Sequence, residues 1–224
     1  YGGALHESGI LVKVDLYNQI KKDLNLIFER IKEKSGITKT RGRRRKVIDK
    51  IIILGDLKHG FGSILKEEWE EVLDLIDYLE EKAKEIVIVK GNHDIFLDKV
   101  IGKKGIEMVD YYLWKEFAFL HGDRDFKEIY KKKIKYWIIG HGHPAVILKE
   151  KKGVKREKYK CFLIGNFKGK KVIITPSFFP LQEGTDARSY DLGLVWDFDF
   201  DNFEAKVMGE NLEALDFGRL INID

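Results

Sequence analysis

The sequence predicts an α/β fold: two β-sheets in one sandwich with helices on the outside. Three observations carry this. Helix-period apolar stripes alternate with short apolar runs through the first ninety residues, as in a parallel sheet covered by helices. After Pro144 the runs follow one another with no helical stripe between them, which reads as a second, mostly antiparallel sheet. No repeat and no Ser/Pro-rich linker interrupts the 224 residues, so the chain 1–224 reads as a single domain.

The elements follow in order. Leu16, Ile20, Leu24, Ile27 and Ile31 recur at helical steps and predict an amphipathic helix over 16–33. Residues 39–46 carry six positive charges around Gly42, too polar to form an element. Ile51–Leu54 is a short apolar run bounded by Gly55, a strand buried on both faces. Trp69, Val72, Leu73, Ile76, Leu79 and Ala83 predict a second helix over 66–83, and Ile86–Val89 a second buried strand. Phe117–Leu120 and Trp137–Ile139 are further strands. Val146–Leu148, Lys160–Ile164, Val172–Thr175 and Leu194–Phe198 build the second sheet.

Composition narrows the function. The chain is 44% hydrophobic and 35% charged, which excludes disorder; 41 Lys+Arg against 37 Asp+Glu is too even a mix to mark a nucleic-acid binder by itself. No apolar run approaches the ~18 residues of a spanning helix, so no membrane role is expected. The single cysteine, Cys161, excludes an internal disulfide framework and a cysteine-rich zinc site, and reads as buried packing. No leader opens the sequence, so the expected compartment is the cytoplasm.

The chemistry lies where the strands end. Strand 51–54 runs into Gly55-Asp56-Leu57-Lys58-His59, and strand 86–89 into Gly91-Asn92-His93-Asp94. Strand 117–120 runs into His121-Gly122-Asp123, and strand 137–139 into Gly140-His141-Gly142-His143. Five of the six histidines sit at these carboxyl ends, where an open α/β sheet binds its ligands. A lone histidine there is more often a surface or hydrogen-bonded residue. Four clusters together point to a metal centre gathering imidazole and carboxylate from several strands. Such N/O ligation suits Mn, Fe, Zn, Ni or Co without choosing among them.

In this order, Gly-Asp, Gly-Asn-His-Asp, a solitary His and Gly-His-x-His resemble the calcineurin-like metallophosphoesterase superfamily. The motifs cover residues 50–145. Ala4–Val12, the stretch Leu54–His59 and Gly184-Thr185-Asp186 are more loosely similar to its archaeal branch related to the SbcD repair nuclease, close to the DNA-ligase-associated phosphoesterases. The resemblance implies a four-layer α/β/β/α architecture and two divalent metal ions, manganese first. Asp56 would bridge the two ions. Asn92, His121 and His141 would complete the second site, and His143 would serve the first. His93 would be catalytic, contacting the phosphoryl oxygen and helping the leaving group depart. Because His141 and His143 are two apart, an extended segment would point both to one face.

The implied activity is hydrolysis of phosphodiester or phosphomonoester bonds by hydroxide held between two metals about 3.5–4 Å apart. Nucleotides or nucleic acid are the expected substrates. The first motif of the superfamily, Asp-x-His, has no match within 1–20; the expectation is that it lies upstream of Tyr1 and that the chain as written is weakly active or inactive. The alternative is a degenerate, non-catalytic member that binds nucleic acid or a protein partner. Three further residues can steady a ligand or meet substrate: His59, Asp94 and Asp123. Arg43, Arg44 and Arg45 in the basic run read equally well as a nucleic-acid contact and as a solvated loop.

Overall fold

The computed structural model describes residues 16–35, 48–57, 66–95, 97–149 and 156–223. His59 and the basic run with Arg43, Arg44 and Arg45 lie outside the described residues. Two compact units emerge, Tyr1–Ile88 with Asn92–Val109, and Val89–Gly91 with Asp110–Asp224. Together they form a mixed α/β fold with two sheets and few helices, the class expected.

In the first unit, helix α1 (Leu16–Lys34) and helix α2 (Lys66–Glu80) accompany strands β1 (Ile48–Ile53), β2 (Ala83–Val89) and β3 (Glu107–Val109), which lie in the order β1-β2-β3. Strand β2 is buried at Ile86, Val87, Ile88 and Val89, as its unbroken apolar run requires. It pairs in parallel with β1, Ile51 opposite Ile86 and Ile53 opposite Ile88. The helices meet along one seam. Tyr17 bonds Asp74, Lys21 reaches Asp74 at 3.3 Å, and the Tyr78 hydroxyl donates to Asn25 Oδ1 at 2.6 Å. Residues 17, 21 and 25 are one turn apart on α1, as are 74 and 78 on α2, so polar pairs align the helices.

Two expectations change here. The buried face of α1 is Leu16, Ile20 and Phe28, while Ile31 is exposed. Helix α2 stops at Glu80 rather than 83, because Ala83 is taken into the ladder opposite Ile48. A short helix, α3 (Leu97–Ile101), follows the loop after β2.

The second unit is a nine-stranded sheet of β4 (Tyr111–Trp114), β5 (Phe117–Leu120), β6 (Tyr136–Ile139), β7 (Pro144–Lys149), β8 (Arg156–Phe167), β9 (Lys170–Ile174), β10 (Thr185–Asp186), β11 (Glu204–Met208) and β12 (Ala214–Arg219). The main path runs β10-β7-β8-β9-β6-β5-β4, and β11 joins β8 with β12 at its outer edge. Strands β5, β6 and β9 are parallel neighbours; β4 and β8 flank them antiparallel. The division between sheets thus falls at residues 109–110, not at Pro144: the strands before His121 and His141 share a sheet with those after Pro144. The parallel ladders β5–β6 and β6–β9 join them, Ile139 lying opposite both Leu120 and Ile174.

The core of this unit is aromatic. Trp137 is fully buried, donates its indole N–H to Ile129 O at 3.2 Å, and lies 5.3 Å from the Trp196 ring. Phe167, Phe198 and Phe203 continue the cluster. Cys161 is buried and its thiol is pushed up to about 12 by burial, so it packs as expected. Leu194–Phe198 corrects the sequence reading. Its side chains alternate as in a strand, Trp196 and Phe198 buried and Val195 exposed, but the segment joins no ladder. Alternation follows from an extended backbone packed on a core, with or without a paired neighbour.

A polar staple closes β10 onto β7. Arg188 binds Asp186 through two nitrogens (3.0 and 3.1 Å) and donates to Ile147 O (2.7 Å) and Ile223 O (2.6 Å). Burial pushes the Asp186 carboxyl up, but the bonds from Arg188 outweigh it and hold the group below the ordinary carboxylate range. The stabilisation is therefore complete above the ordinary carboxylate pKa and fades as pH falls through the lower folded-state value. Asp186→Asn should cost about 1–3 kcal/mol at neutral pH. Thermal unfolding at stepped pH should show that deficit in full above about pH 4 and narrowing in more acid solution.

Candidate metal centre

The first unit presents its polar residues from two loops on one edge of the sheet. Strands β1 and β2 are parallel neighbours, so the residues after their carboxyl ends emerge side by side. Backbone bonds to carboxylates tie the loops together. The Asp56 N–H donates to Asp94 Oδ2 at 2.8 Å, and the His93 N–H donates to Asp56 Oδ1 at 3.0 Å. Asp94 is buried, and its carboxylate holds the Asp56 loop. The Asp56 carboxylate thus accepts the His93 N–H through Oδ1. Asn92 is exposed beside it and His93 is half-buried.

The second unit presents His121 after β5 and His141 and His143 after β6. Leu120 and Ile139 face one another in the parallel ladder, so His121 and the turn at Gly140 leave the sheet together. His121 is 2% exposed. Its Nε2 lies 3.0 Å from His141 Nδ1, the two rings edge to face at 4.8 Å. Asp123 is half-buried with its carboxylate 3.4 Å from Arg124 Nε. The segment 140–143 is not extended, which corrects the alternation reasoning for His141 and His143. Gly142 N–H folds back to Gly140 O at 2.6 Å, and both histidines have positive φ, +57° and +42°. His143 is held by its carbonyl, which accepts the Thr185 N–H at 2.9 Å.

Strain marks these positions. Among the described residues six non-glycines have positive φ, and Asp56 (+54°), His141 and His143 are three of them. A side chain in the left-handed region costs about 1–2 kcal/mol, and such costs persist where the surroundings impose them, commonly at functional sites.

Metal suits the donor set. At 3.0 Å the His121 and His141 nitrogens are close enough that one divalent ion could take both, and the same spacing suits an N–H···N bond. Imidazole nitrogen of this kind is a ligand that divalent Mn, Fe, Zn, Ni and Co all accept. The residues therefore fit the group. One neighbour escaped the sequence reading: a Cβ added to Gly193 would lie 3.4 Å from His141 Nε2, yet 52 residues separate the two and no local pattern joins them.

Among curated proteins none matches this chain. Two crystal structures of Vps29 from Entamoeba histolytica, a single and a double mutant, are 15% and 14% identical to it. They cover 87% and 86% of this chain and 89% of their own, with TM-scores of 0.35 and 0.36, and bear on neither activity nor partners. The profile of the calcineurin-like phosphoesterases matches residues 6–209. That span takes in all four clusters of Asp, Asn and His at the strand ends, and the chain belongs to the calcineurin-like phosphoesterase family.

Proposed function

We propose that the chain is a metal-dependent phosphoesterase, cleaving phosphodiester or phosphomonoester bonds, with nucleotides or nucleic acid as its substrates. The observation that carries this is the His121–His141 nitrogen pair at 3.0 Å, set at the ends of adjacent parallel strands. In this reading Asp56, Asn92, His121 and His141 hold one divalent ion, and Asp56 with His143 contributes to a second. Ions held there would supply charge to bind phosphoryl oxygens and would acidify a water to serve as nucleophile near neutral pH. Manganese is the ion we would supply first.

The chain's own residues supply the rest. His93 is anchored through its backbone N–H to Asp56, and its imidazole is assigned to the phosphoryl oxygen and to protonating the leaving group. No side chain is needed as nucleophile. Cys161 is buried with its thiol at about 12, and no serine lies in a Gly-x-Ser-x-Gly turn. A nucleic-acid substrate is supported by the charge run 39–46, which matches a polyanionic backbone, and by the looser likeness to the SbcD-related branch.

Chelator-stripped protein given Mn²⁺ should hydrolyse bis(4-nitrophenyl) phosphate and stop when chelator returns. Asp56→Asn and His141→Ala should each lose bound metal, read by plasma mass spectrometry, together with turnover. His93→Ala should keep its metal while kcat falls about 10²–10⁴-fold. Hydrolysis that survives chelation would sink the reading, whereas bound metal without hydrolysis would point to a binding role.

For the nucleic-acid part, replacing Arg43, Arg44 and Arg45 together by Ala should flatten the plot of log affinity against log salt by about 2–3 units. Fluorescence anisotropy with a labelled oligonucleotide measures the slope, and an unchanged slope would remove these arginines from the interface.

A further inference from the structure

We infer that the segment Leu192–Val195 is a positioning strap for the His121–His141 pair, with Leu194 as its wedge. Each of the two histidines is followed at once by a glycine, and Leu194 is seated against both. A Cβ on Gly122 would meet Leu194 Cδ2 at 2.7 Å, and one on Gly142 would meet Leu194 Cδ1 at 3.3 Å. The Val195 N–H fastens the strap to Gly122 O at 3.0 Å. Leu192 is buried and adds its own contact, its Cβ 3.3 Å from where a Cβ of Gly142 would sit. Gly193 then passes beside His141 Nε2, the ring nitrogen turned away from His121. Beyond the strap, Trp196 and Phe198 are buried in the aromatic core, which anchors it.

The physical consequence concerns geometry. His141 stands in a left-handed backbone at the end of a strand, a conformation its own residue type does not favour. The Gly142 N–H bond to Gly140 O closes the turn, but the glycines on either side of His141 bring no side chain to hold it. Leu194 supplies the missing contact surface for both turns at once. A single side chain thereby couples the two imidazoles, so loosening it should widen the distribution of their separation. The residues that orient metal-bound histidines commonly act through hydrogen bonds; here apolar packing on two glycines would do the same work.

This inference rests on the metal-binding reading above, and the test separates the two. The chelator-stripped full chain is titrated with Co²⁺ and followed by its visible absorption, which reports the ligand field. Leu194→Ala should bind Co²⁺ about 10–100-fold more weakly than the unaltered chain and with a changed band shape. Leu163→Ala, the same truncation at a fully buried position of the same core, should lower thermal stability and leave affinity and spectrum unchanged. If either alanine variant fails to fold, Leu194→Val and Leu163→Val are compared by the same criterion. Equal affinity and spectrum in the Leu194 variant and the unaltered chain would overturn the strap. Equal loss in both variants would also overturn it, since general loosening would then suffice. An unaltered chain that takes up no Co²⁺ would overturn the metal reading and the strap with it.

Discussion

Leu120 and Ile139 stand opposite one another in a parallel ladder, and the polar residues beyond them owe their meeting to that register. Parallel strands end at the same edge, so whatever follows their last apolar residue is delivered together. His121 and His141 are twenty residues apart in sequence and 3.0 Å apart at their nitrogens because the ladder aligns their strands. In the first unit the same rule brings the loop of Asp56 beside that of His93 and Asp94. A slip of one residue in either ladder would turn alternate side chains to the other face and part these groups.

The two sets of loops are rigidified by different means. In the first unit carboxylates do it: Asp94 takes the Asp56 N–H, and Asp56 takes the His93 N–H. The buried Asp94 is well placed to hold a strained residue. In the second unit the means are apolar packing and backbone bonds. Leu194 rests on two glycines, and Thr185 holds the His143 carbonyl. Both devices stabilise left-handed backbone at residues assigned to metal, so the energetic cost of those conformations is met by contacts some distance along the chain.

The bulk of the second unit serves this edge. Trp137, the second residue of β6, is buried against Trp196, while Phe198 and Phe203 fill the same cluster. The strap that reaches Gly122 and Gly142 departs from that cluster. The Asp186–Arg188 staple fixes β10, whose first residue, Thr185, binds His143. Core, staple and loops thus form one continuous set of contacts within the unit, and a change in packing has a route to the histidines.

Much of this was legible in the sequence, for identifiable reasons. Short apolar runs marked β1, β2, β5 and β6, but burial on both faces holds only for Ile86–Val89 of β2. Ile51–Ile53 of β1, expected to be buried on both faces, are half-buried, and β5 and β6 alternate. The same runs located Asp56, Asn92, His93, His121, His141 and His143 at carboxyl ends, since polarity resumes where burial stops. Helical period located α1 and α2 but not which residues each helix buries; Phe28 rather than Ile31 faces inward on α1 because its partner Tyr78 lies there. Other features depend on pairing across long separations, which no local pattern carries. The partition of strands between sheets, the unpaired course of Leu194–Phe198, the Asp94–Asp56 bond and the left-handed backbone of His141 and His143 belong to this group. Residue types and their spacing determined what chemistry the chain carries, whereas tertiary contacts decided how those groups are held, because loop conformation is set by whatever packs against it.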